Sequence, residues 1–206
     1  MIPPPEAVLF DIGNVLFHLG LAPALLRLVP PDDPDPAARV KSLLEKQEDL
    51  ETGKIAESAF IAWASERLRF AGSPDAFRAA WCSRFHPIED MWKLVPALRD
   101  AGLKLILFSN TNSIHAAWLK ANHPLHLFHG EVFSHEAGAM KPDPALYHHA
   151  FRVHRLTPDR TLYVDDLPDN IRTGQSLGLR CHQYKPARHQ EFTRWLDRQL
   201  KAGQSP

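Results

Sequence analysis

Residues 7–15 read Ala-Val-Leu-Phe-Asp-Ile-Gly-Asn-Val, and this stretch decides the fold. Its first four residues form a short apolar run, which is typical of a buried strand. Asp11 and Gly13 follow at once, so the strand is predicted to open into a loop at a carboxylate. A carboxylate in that position can serve as a nucleophile or as a metal ligand.

Two further apolar runs end in polar residues in the same way. Residues 103–108 end at Ser109-Asn110, and residues 161–164 end at Asp165-Asp166. Weaker strand candidates lie at 131–133 and 181–184, and helical patterns lie at 91–100, 144–153 and 169–177. Because strands and helices alternate, we predict an α/β fold with a Rossmann-like parallel sheet flanked by helices. Ligands bind such sheets at the carboxyl ends of the strands, where these polar residues gather.

The segment from about residue 17 to residue 89 has a different pattern. It shows helical patterns at 37–50, 57–70 and 75–85, and it shows no strand pattern. We therefore predict a small all-helical cap at 17–89, inserted after the first strand of a core formed by 1–16 and 90–206.

Composition narrows the class of protein. Lys and Arg together number 24, as do Asp and Glu, so a general attraction to nucleic acid is not expected. No apolar run approaches the ~20 residues that a membrane helix needs, and the N-terminus lacks the pattern of a signal peptide. The expected location is the cytoplasm, with no membrane partner. Twelve histidines and two cysteines occur, but none at a zinc-binding spacing.

Four sets of polar residues carry the chemistry. Besides Asp11, a hydroxyl at Ser109 beside the amide of Asn110 suits a phosphate oxygen, because a helix is predicted to begin just after them. Lys141 precedes another helix and could hold both a carboxylate and a phosphate. The pair Asp165-Asp166 suits a hard cation such as Mg²⁺. Each set alone is common as a cap or a solvated loop, so the specific signal is their combination and order.

That combination resembles the haloacid dehalogenase-like superfamily, whose four motifs run in this order. The matching segments are 11–15, Ser109-Asn110-Thr111, Lys141 and 165–170. The resemblance covers almost the whole chain and implies a HAD-like core, with the insert as the small helical cap of one subgroup. The Asp-x-Gly-Asn-Val form of the first motif is similar to a bacterial branch that includes glucose-1-phosphate phosphatases.

The resemblance implies a role for each motif residue. Asp11 attacks phosphorus and becomes an aspartyl-phosphate, while Ser109 and the Asn110 amide hold the transferring phosphoryl group. Lys141 neutralises charge on Asp11 and on the phosphoryl oxygens. Asp11, the Gly13 carbonyl and Asp166 bind Mg²⁺, Asp165 acts on the metal mainly through a water molecule, and Asn170 supports the loop.

One position departs from the family pattern. Typical phosphatases of the family carry a second Asp two positions after the nucleophile as general acid and base, and here that position is Gly13. We hypothesise that His18, whose unperturbed pKa of ~6.5 suits proton transfer, takes this role. A surface or packing role for His18 remains the alternative.

These observations favour one function and leave two others open. The leading prediction is a Mg²⁺-dependent phosphatase that hydrolyses a small phosphorylated metabolite, such as a sugar phosphate, through Asp11. A phosphotransferase or phosphomutase is the second reading. The third is a non-catalytic protein that binds a phosphorylated metabolite, a reading that Gly13 favours and the intact motif residues oppose. From their loop positions, Lys46, Glu51 and Lys54 are predicted to face the site from the cap.

Overall fold

The computed structural model describes residues 3–20 and 23–202, and a five-stranded parallel sheet lies at its centre. The sheet has the strand order β5-β4-β1-β6-β7, so β1 lies in the middle and pairs with β4 and β6. Strands β2 and β3 form a separate antiparallel pair. The seven strands are β1 (Ala7–Phe10), β2 (Phe17–Leu19), β3 (Phe85–Pro87), β4 (Lys104–Ser109), β5 (Gly130–Phe133), β6 (Thr161–Asp165) and β7 (Arg180–Gln183). The predicted α/β parallel sheet is confirmed.

The helices of the inserted segment come first along the chain. They are α1 (Pro23–Leu26), α2 (Pro36–Ser42), α3 (Gln47–Glu51), α4 (Glu57–Leu68) and α5 (Pro74–Cys82). The helices of the core follow as α6 (Glu89–Asp100), α7 (Ser113–Asn122), α8 (Ser134–Ala137), α9 (Pro144–His154), α10 (Pro168–Ser176) and α11 (His189–Lys201). Within the described residues, no helix combines the length and the apolar character that a membrane crossing requires.

Helices cover both faces of the sheet, which explains why its strands read as continuous apolar runs. Alternate residues of β1 enter different hydrophobic clusters: Val8 and Phe10 pack with α6, α7 and α11, while Ala7 and Leu9 pack with α9 and α10. All four residues of β1 are buried. A strand buried on both faces cannot show polar alternation, and this is typical of parallel sheets.

The inserted helices have a hydrophobic cluster of their own, built around aromatic residues of α4 and α5. Phe60, Phe77 and Trp81 form its centre, with ring centroids 5.2–6.2 Å apart. The cluster meets the core at α7, where the ring of His115 stacks on Trp81. Burial lowers the pKa of His115 to about 3, so this ring is neutral at physiological pH.

Two features of the inserted segment differ from the prediction. The segment is not purely helical, since β2 and β3 pair antiparallel at its two ends, and Phe17 and Phe85 pack in a cluster of the core. Strands of three residues are too short to show a period in the sequence. The predicted helix at 37–50 is also wrong as a single element, because a 3₁₀ turn at Leu43–Lys46 separates α2 from α3. The boundary between cap and core stays a prediction.

Candidate active site

The carboxyl ends of the three central strands bring the predicted residues together. Asp11 follows β1, Ser109 ends β4 and Asp165 ends β6, and these three strands are neighbours in the sheet. All three side chains are buried. Asp11 and Ser109 line a cleft of about 480 Å³, which residues of the inserted segment also line. Asp165 does not line it, but Asp165 accepts a hydrogen bond from Lys141, which does.

Lys141 is the central cation of this cleft. Its Nζ donates to Asp11 Oδ1 at 2.9 Å, to Asp165 Oδ2 at 2.6 Å and to the carbonyl oxygen of Phe108 at 2.9 Å. These three bonds use every proton of the ammonium group. Asn110 holds the lysine backbone in place, since its side chain accepts from Lys141 N at 2.7 Å and donates to Lys141 O at 2.8 Å.

Asp165 is the most heavily hydrogen-bonded carboxylate of the site, with no exposed surface. Its oxygens accept from Lys141, from the Tyr163 hydroxyl at 2.7 Å, from the Leu167 amide at 2.9 Å and from Asn170 Nδ2 at 3.0 and 3.2 Å. Asp165 therefore holds Lys141 in place. The carboxylate oxygens of Asp11 and Asp166 accept fewer hydrogen bonds and are more available to a ligand.

Asp166 completes a cluster of three carboxylates. Ligand atoms of Asp11, Asp165 and Asp166 lie within 4.8 Å of one another, the only such trio of His, Cys, Asp or Glu side chains in the described residues. Asn14 orients Asp166 by donating to its Oδ2 at 2.9 Å. Three carboxylates beside one ammonium carry two excess negative charges, which a divalent cation with a preference for oxygen ligands would neutralise.

Burial and the neighbouring charges shift the pKa values of this cluster, and the pKa of Asp165 is lowered because Lys141 and other hydrogen-bond donors outweigh its burial. Burial raises the pKa of Asp11 to about 6, although Lys141 opposes the rise, and the charge of Asp165 adds to it. Burial likewise raises the pKa of Asp166, against the hydrogen bond from Asn14. A cation bound between these two groups would favour their ionised forms. The residues therefore fit a Mg²⁺ site.

The cap side of the cleft is polar. Gln47 and Glu51 of α3 and Arg84, which precedes β3, line it together with Leu19 and Phe85. Of the three cap residues predicted to face the site, only Glu51 does so. Lys54 is exposed beside Glu48, and Lys46 lies over the Trp63 ring with its Nζ 5.8 Å from the ring centroid.

The hypothesis that His18 transfers protons at the site has no geometric support. His18 lies on β2 with an exposed side chain, and it is not among the residues that line the cleft. Side chains alternate along a strand, so the neighbouring Leu19 points into the cleft and His18 points away from it. His115 does line the cleft, but its low pKa makes it a poor proton donor at neutral pH.

Leu19 also accounts for the space beside Gly13. A Cβ at position 13 would lie 2.7 Å from Leu19 Cδ1 and 3.8 Å from Asp11 Oδ2. The Leu19 side chain thus occupies the position that a larger residue at 13 would need. Position 13 therefore carries no acid–base carboxylate, because its residue is glycine. Leu19 occupies the space that a longer side chain there would fill.

The sequence matches a known family over most of its length. This match agrees with the four motifs and with the sheet that positions them. The model of the haloacid dehalogenase-like hydrolases matches residues 5–178. This chain is a haloacid dehalogenase-like hydrolase. The prediction of an enzyme of this superfamily is confirmed.

Two curated relatives of this hydrolase are named as phosphatases, which supports the prediction of a phosphoric monoester hydrolase. It is 24% identical over 187 residues to a D-ribitol-5-phosphate phosphatase of Bacteroides thetaiotaomicron, a match that covers 85% of this chain and 90% of the relative. It is 27% identical over 183 residues to the sesquiterpene phosphatase astK of Aspergillus oryzae, with coverages of 84% and 87%.

Solved structures of the family share the fold of this hydrolase. A HAD family enzyme of Bacteroides thetaiotaomicron, in complex with magnesium and inorganic phosphate, superposes with a TM-score of 0.73 at 22% identity, covering 88% of this chain and 95% of that one. A predicted HAD-like family hydrolase of Porphyromonas gingivalis gives a TM-score of 0.75 at 22% identity, with coverages of 93% of this chain and 98% of that one.

Two tyrosines and an arginine belong to the site of this hydrolase although the sequence analysis did not single them out. Tyr163 donates to Asp165, and Tyr147 donates to the Asn170 carbonyl at 2.8 Å with its oxygen 3.3 Å from that of Tyr163. Tyr163 lies two residues before Asp165 on the same strand face, a spacing that could have revealed it. Arg84 follows a helix in the inserted segment, and no sequence signal links it to the cleft.

Gly53 sets how closely the cap approaches the core in this hydrolase. Its φ is +70°, and a Cβ there would clash with the carbonyl oxygen of His135 in α8. We expect Gly53→Ala to lower the free energy of unfolding by about 1–3 kcal/mol, as overpacking does, and to lower kcat/KM because α3 carries Gln47 and Glu51. Urea unfolding and phosphate release measure the two effects.

Gly102→Ala is the matched control for the Gly53 variant. Gly102 also has a left-handed backbone, with φ of +83°, but nothing lies within 4 Å of the added Cβ. It therefore reports backbone strain alone. Equal losses of stability and equal kcat/KM in the two variants would show that the contact with His135 is unimportant.

Proposed function

We propose that this hydrolase is a Mg²⁺-dependent phosphatase that hydrolyses a small phosphorylated metabolite through an aspartyl-phosphate on Asp11. The proposal rests on the position of Lys141. Its Nζ donates to both Asp11 and Asp165, and Asp166 lies beside these two carboxylates. Binding of a phosphate alone would not require a buried carboxylate at this point. The phosphatase names of two relatives support the same reaction.

In the first half of the reaction, a carboxylate oxygen of Asp11 attacks phosphorus as the bond to the leaving oxygen breaks, and the leaving oxygen takes a proton from solvent water. In the second half, a water molecule attacks the aspartyl-phosphate and gives up a proton to solvent, which frees the Asp11 carboxylate and releases inorganic phosphate. Ser109 and the Asn110 amide hold the equatorial phosphoryl oxygens, and Lys141 keeps a positive charge beside them. Phosphoryl transfer depends on this kind of positioning and charge compensation.

Mg²⁺ is the cofactor of the proposed reaction. Asp11, Asp166 and the carbonyl group of Gly13 would hold it, with Asp165 further from the ion because its oxygens already accept bonds from Lys141, Tyr163 and Asn170. When bound, the ion offsets the repulsion between the carboxylate nucleophile and the phosphate dianion. Asn14 orients Asp166 for this role.

Substrate selection is assigned to the inserted segment, residues 17–89, because it forms the wall of the cleft opposite Asp11. The two named relatives act on leaving groups of very different polarity, a polyol and a sesquiterpene. Family membership therefore leaves the leaving group of this enzyme open.

Phosphate release from a panel of phosphomonoesters tests the proposal. The panel contains sugar phosphates, polyol phosphates, alkyl phosphates and an aryl phosphate, each assayed with Mg²⁺ and with a chelator. We expect release from at least one compound that stops with the chelator and returns when Mg²⁺ is restored. Failure on the whole panel, with tight binding of one compound, would favour the binding-protein reading.

Mg²⁺ affinity is expected to fall as the pH falls toward and below about 6. The raised pKa of Asp11, about 6, and that of Asp166 mean that both groups take up protons at a higher pH than an ordinary Asp. A protonated carboxyl group is a poor ligand, so protons compete with the metal. Calorimetric titration of the substrate-free protein with Mg²⁺ measures the effect, and a dissociation constant that does not change with pH contradicts it.

A carboxylate placed at position 13 is expected to supply the missing acid–base group, and Leu19→Ala makes room for it because Leu19 Cδ1 would lie 2.7 Å from the added Cβ. We expect the Gly13→Asp/Leu19→Ala double variant to hydrolyse alkyl phosphates at least about tenfold faster than Leu19→Ala alone, since general acid–base catalysis contributes that much or more. An aryl phosphate should gain less, because its leaving group needs little protonation. Equal gains on both esters would rule out an acid–base effect.

A further inference from the structure

Arg84 lines the cleft, and its guanidinium group has no hydrogen-bond partner among the described residues. Its Nε is fully buried, and neither a hydrogen bond nor an ion pair of its side chain occurs within residues 3–20 and 23–202. Burial lowers the pKa of Arg84, but an arginine keeps its charge at neutral pH. A buried donor without a partner is costly, so its position beside this cleft points to a ligand that pairs with Arg84.

Glu51 provides an acceptor on the same wall of the cleft. Its Oε1 accepts from Gln47 Nε2 at 2.9 Å, and Arg84 and Lys141 are the cations that lower its pKa against the larger effect of burial, which raises it. The two charges influence each other, but Arg84 Nε has no hydrogen-bond partner on Glu51 or elsewhere in the described residues. Helix α8, which packs against α3, carries His135 and Glu136. A donor and an acceptor thus face the cleft without satisfying each other.

We infer that Arg84, Glu51 and Gln47 form a subsite for the hydroxyl groups of the leaving group, so that the substrate is the phosphomonoester of a polyol or sugar. The inference rests on the proposed phosphatase function. A hydroxyl group can accept from Arg84 and donate to Glu51 at once, whereas an anion would be repelled by Glu51. An alkyl or isoprenoid chain would bury the guanidinium group with no partner at all.

Binding to the full-length Asp11→Asn variant with Mg²⁺ tests the subsite apart from turnover. Ribitol 5-phosphate is compared with n-pentyl phosphate, which has the same number of carbons but no hydroxyl groups, and with 3-phosphoglycerate, which adds a carboxylate. We expect ribitol 5-phosphate to bind at least about tenfold more tightly than n-pentyl phosphate, since buried polar groups reject a ligand that leaves them unpaired.

Substitutions in the cleft then test which side chains cause the preference for ribitol 5-phosphate over n-pentyl phosphate. In the same background, Arg84→Met should remove most of the preference for ribitol 5-phosphate, and Glu51→Ala should reduce it independently if Arg84→Met does not fold. Arg67→Met is the matched control, because Arg67 is a half-exposed cap arginine that pairs with Glu45 and does not line the cleft. The preference should survive in Arg67→Met.

Two results would overturn the inference. Equal or tighter binding of n-pentyl phosphate would show that the subsite takes an apolar group, and tightest binding of 3-phosphoglycerate would show that it takes an anion. The test of the subsite and the test of the proposed phosphatase function can fail independently of each other. Preferential binding without hydrolysis by the wild type would refute the phosphatase alone, and hydrolysis without the preference would refute the subsite alone.

Discussion

Replacing Asp11 by Asn is expected to abolish Mg²⁺-dependent phosphate release, with a loss in kcat of at least about 10³-fold. The amide has almost the shape of the carboxylate but lacks the negative charge and nucleophilicity needed to attack phosphorus. Asp11 is buried and its Oδ1 accepts from Lys141 Nζ at 2.9 Å, so the asparagine is expected to keep the same place beside Lys141. Single-turnover assays with an aryl phosphate measure the loss.

The matched control for this variant is Asp169→Asn. Asp169 also borders the cleft, but it is exposed and pairs with Arg172 at the start of α10. The two substitutions remove the same charge from the same region, so only the position differs. A kcat for Asp11→Asn close to that of Asp169→Asn would place the nucleophile elsewhere.

Replacing Lys141 by Met is expected to impair both stability and catalysis. The substitution keeps most of the side-chain volume but leaves Asp165 and Asp11 buried without their cation. Breaking a buried ion pair from one side typically costs about 3–5 kcal/mol. We expect the free energy of unfolding to fall by about that amount at neutral pH, and kcat to fall by about 10³-fold as phosphoryl charge loses its compensation.

The pH dependence of this loss provides a further check. Protonation neutralises the unpaired carboxylates, so the destabilisation should shrink as the pH falls through the range in which Asp11 and Asp165 take up protons. Urea unfolding in the presence of a chelator, at neutral and at acidic pH, measures this change. Lys54→Met is the control, because the side chain of Lys54 is 62% exposed on the cap. A similar small loss in both lysine variants contradicts the central role of Lys141.

Several features of this protein follow from the sequence by itself. The apolar runs that end at Asp11, Ser109 and Asp165 predict three strands, and the structure has β1, β4 and β6 at those places. The carboxyl ends of adjacent parallel strands meet at one edge, so the sequence also predicts that these residues share a site. Lys141 could be added only from its place in a motif order, since nothing local directs it toward Asp11.

Only the tertiary structure decided what surrounds those residues. The 3₁₀ turn at Leu43–Lys46 separates α2 from α3, whose Gln47 lines the cleft, and the pairing of β2 with β3 turns His18 outward. Arg84 reaches the cleft because β3 returns the chain to the core beside β2. The spacing of apolar residues indicates which face of a helix or strand is buried. It does not indicate which distant helix or strand packs against that face. The strand-end chemistry was therefore readable from the sequence, and the wall of the cleft formed by the inserted segment, apart from Glu51, was not.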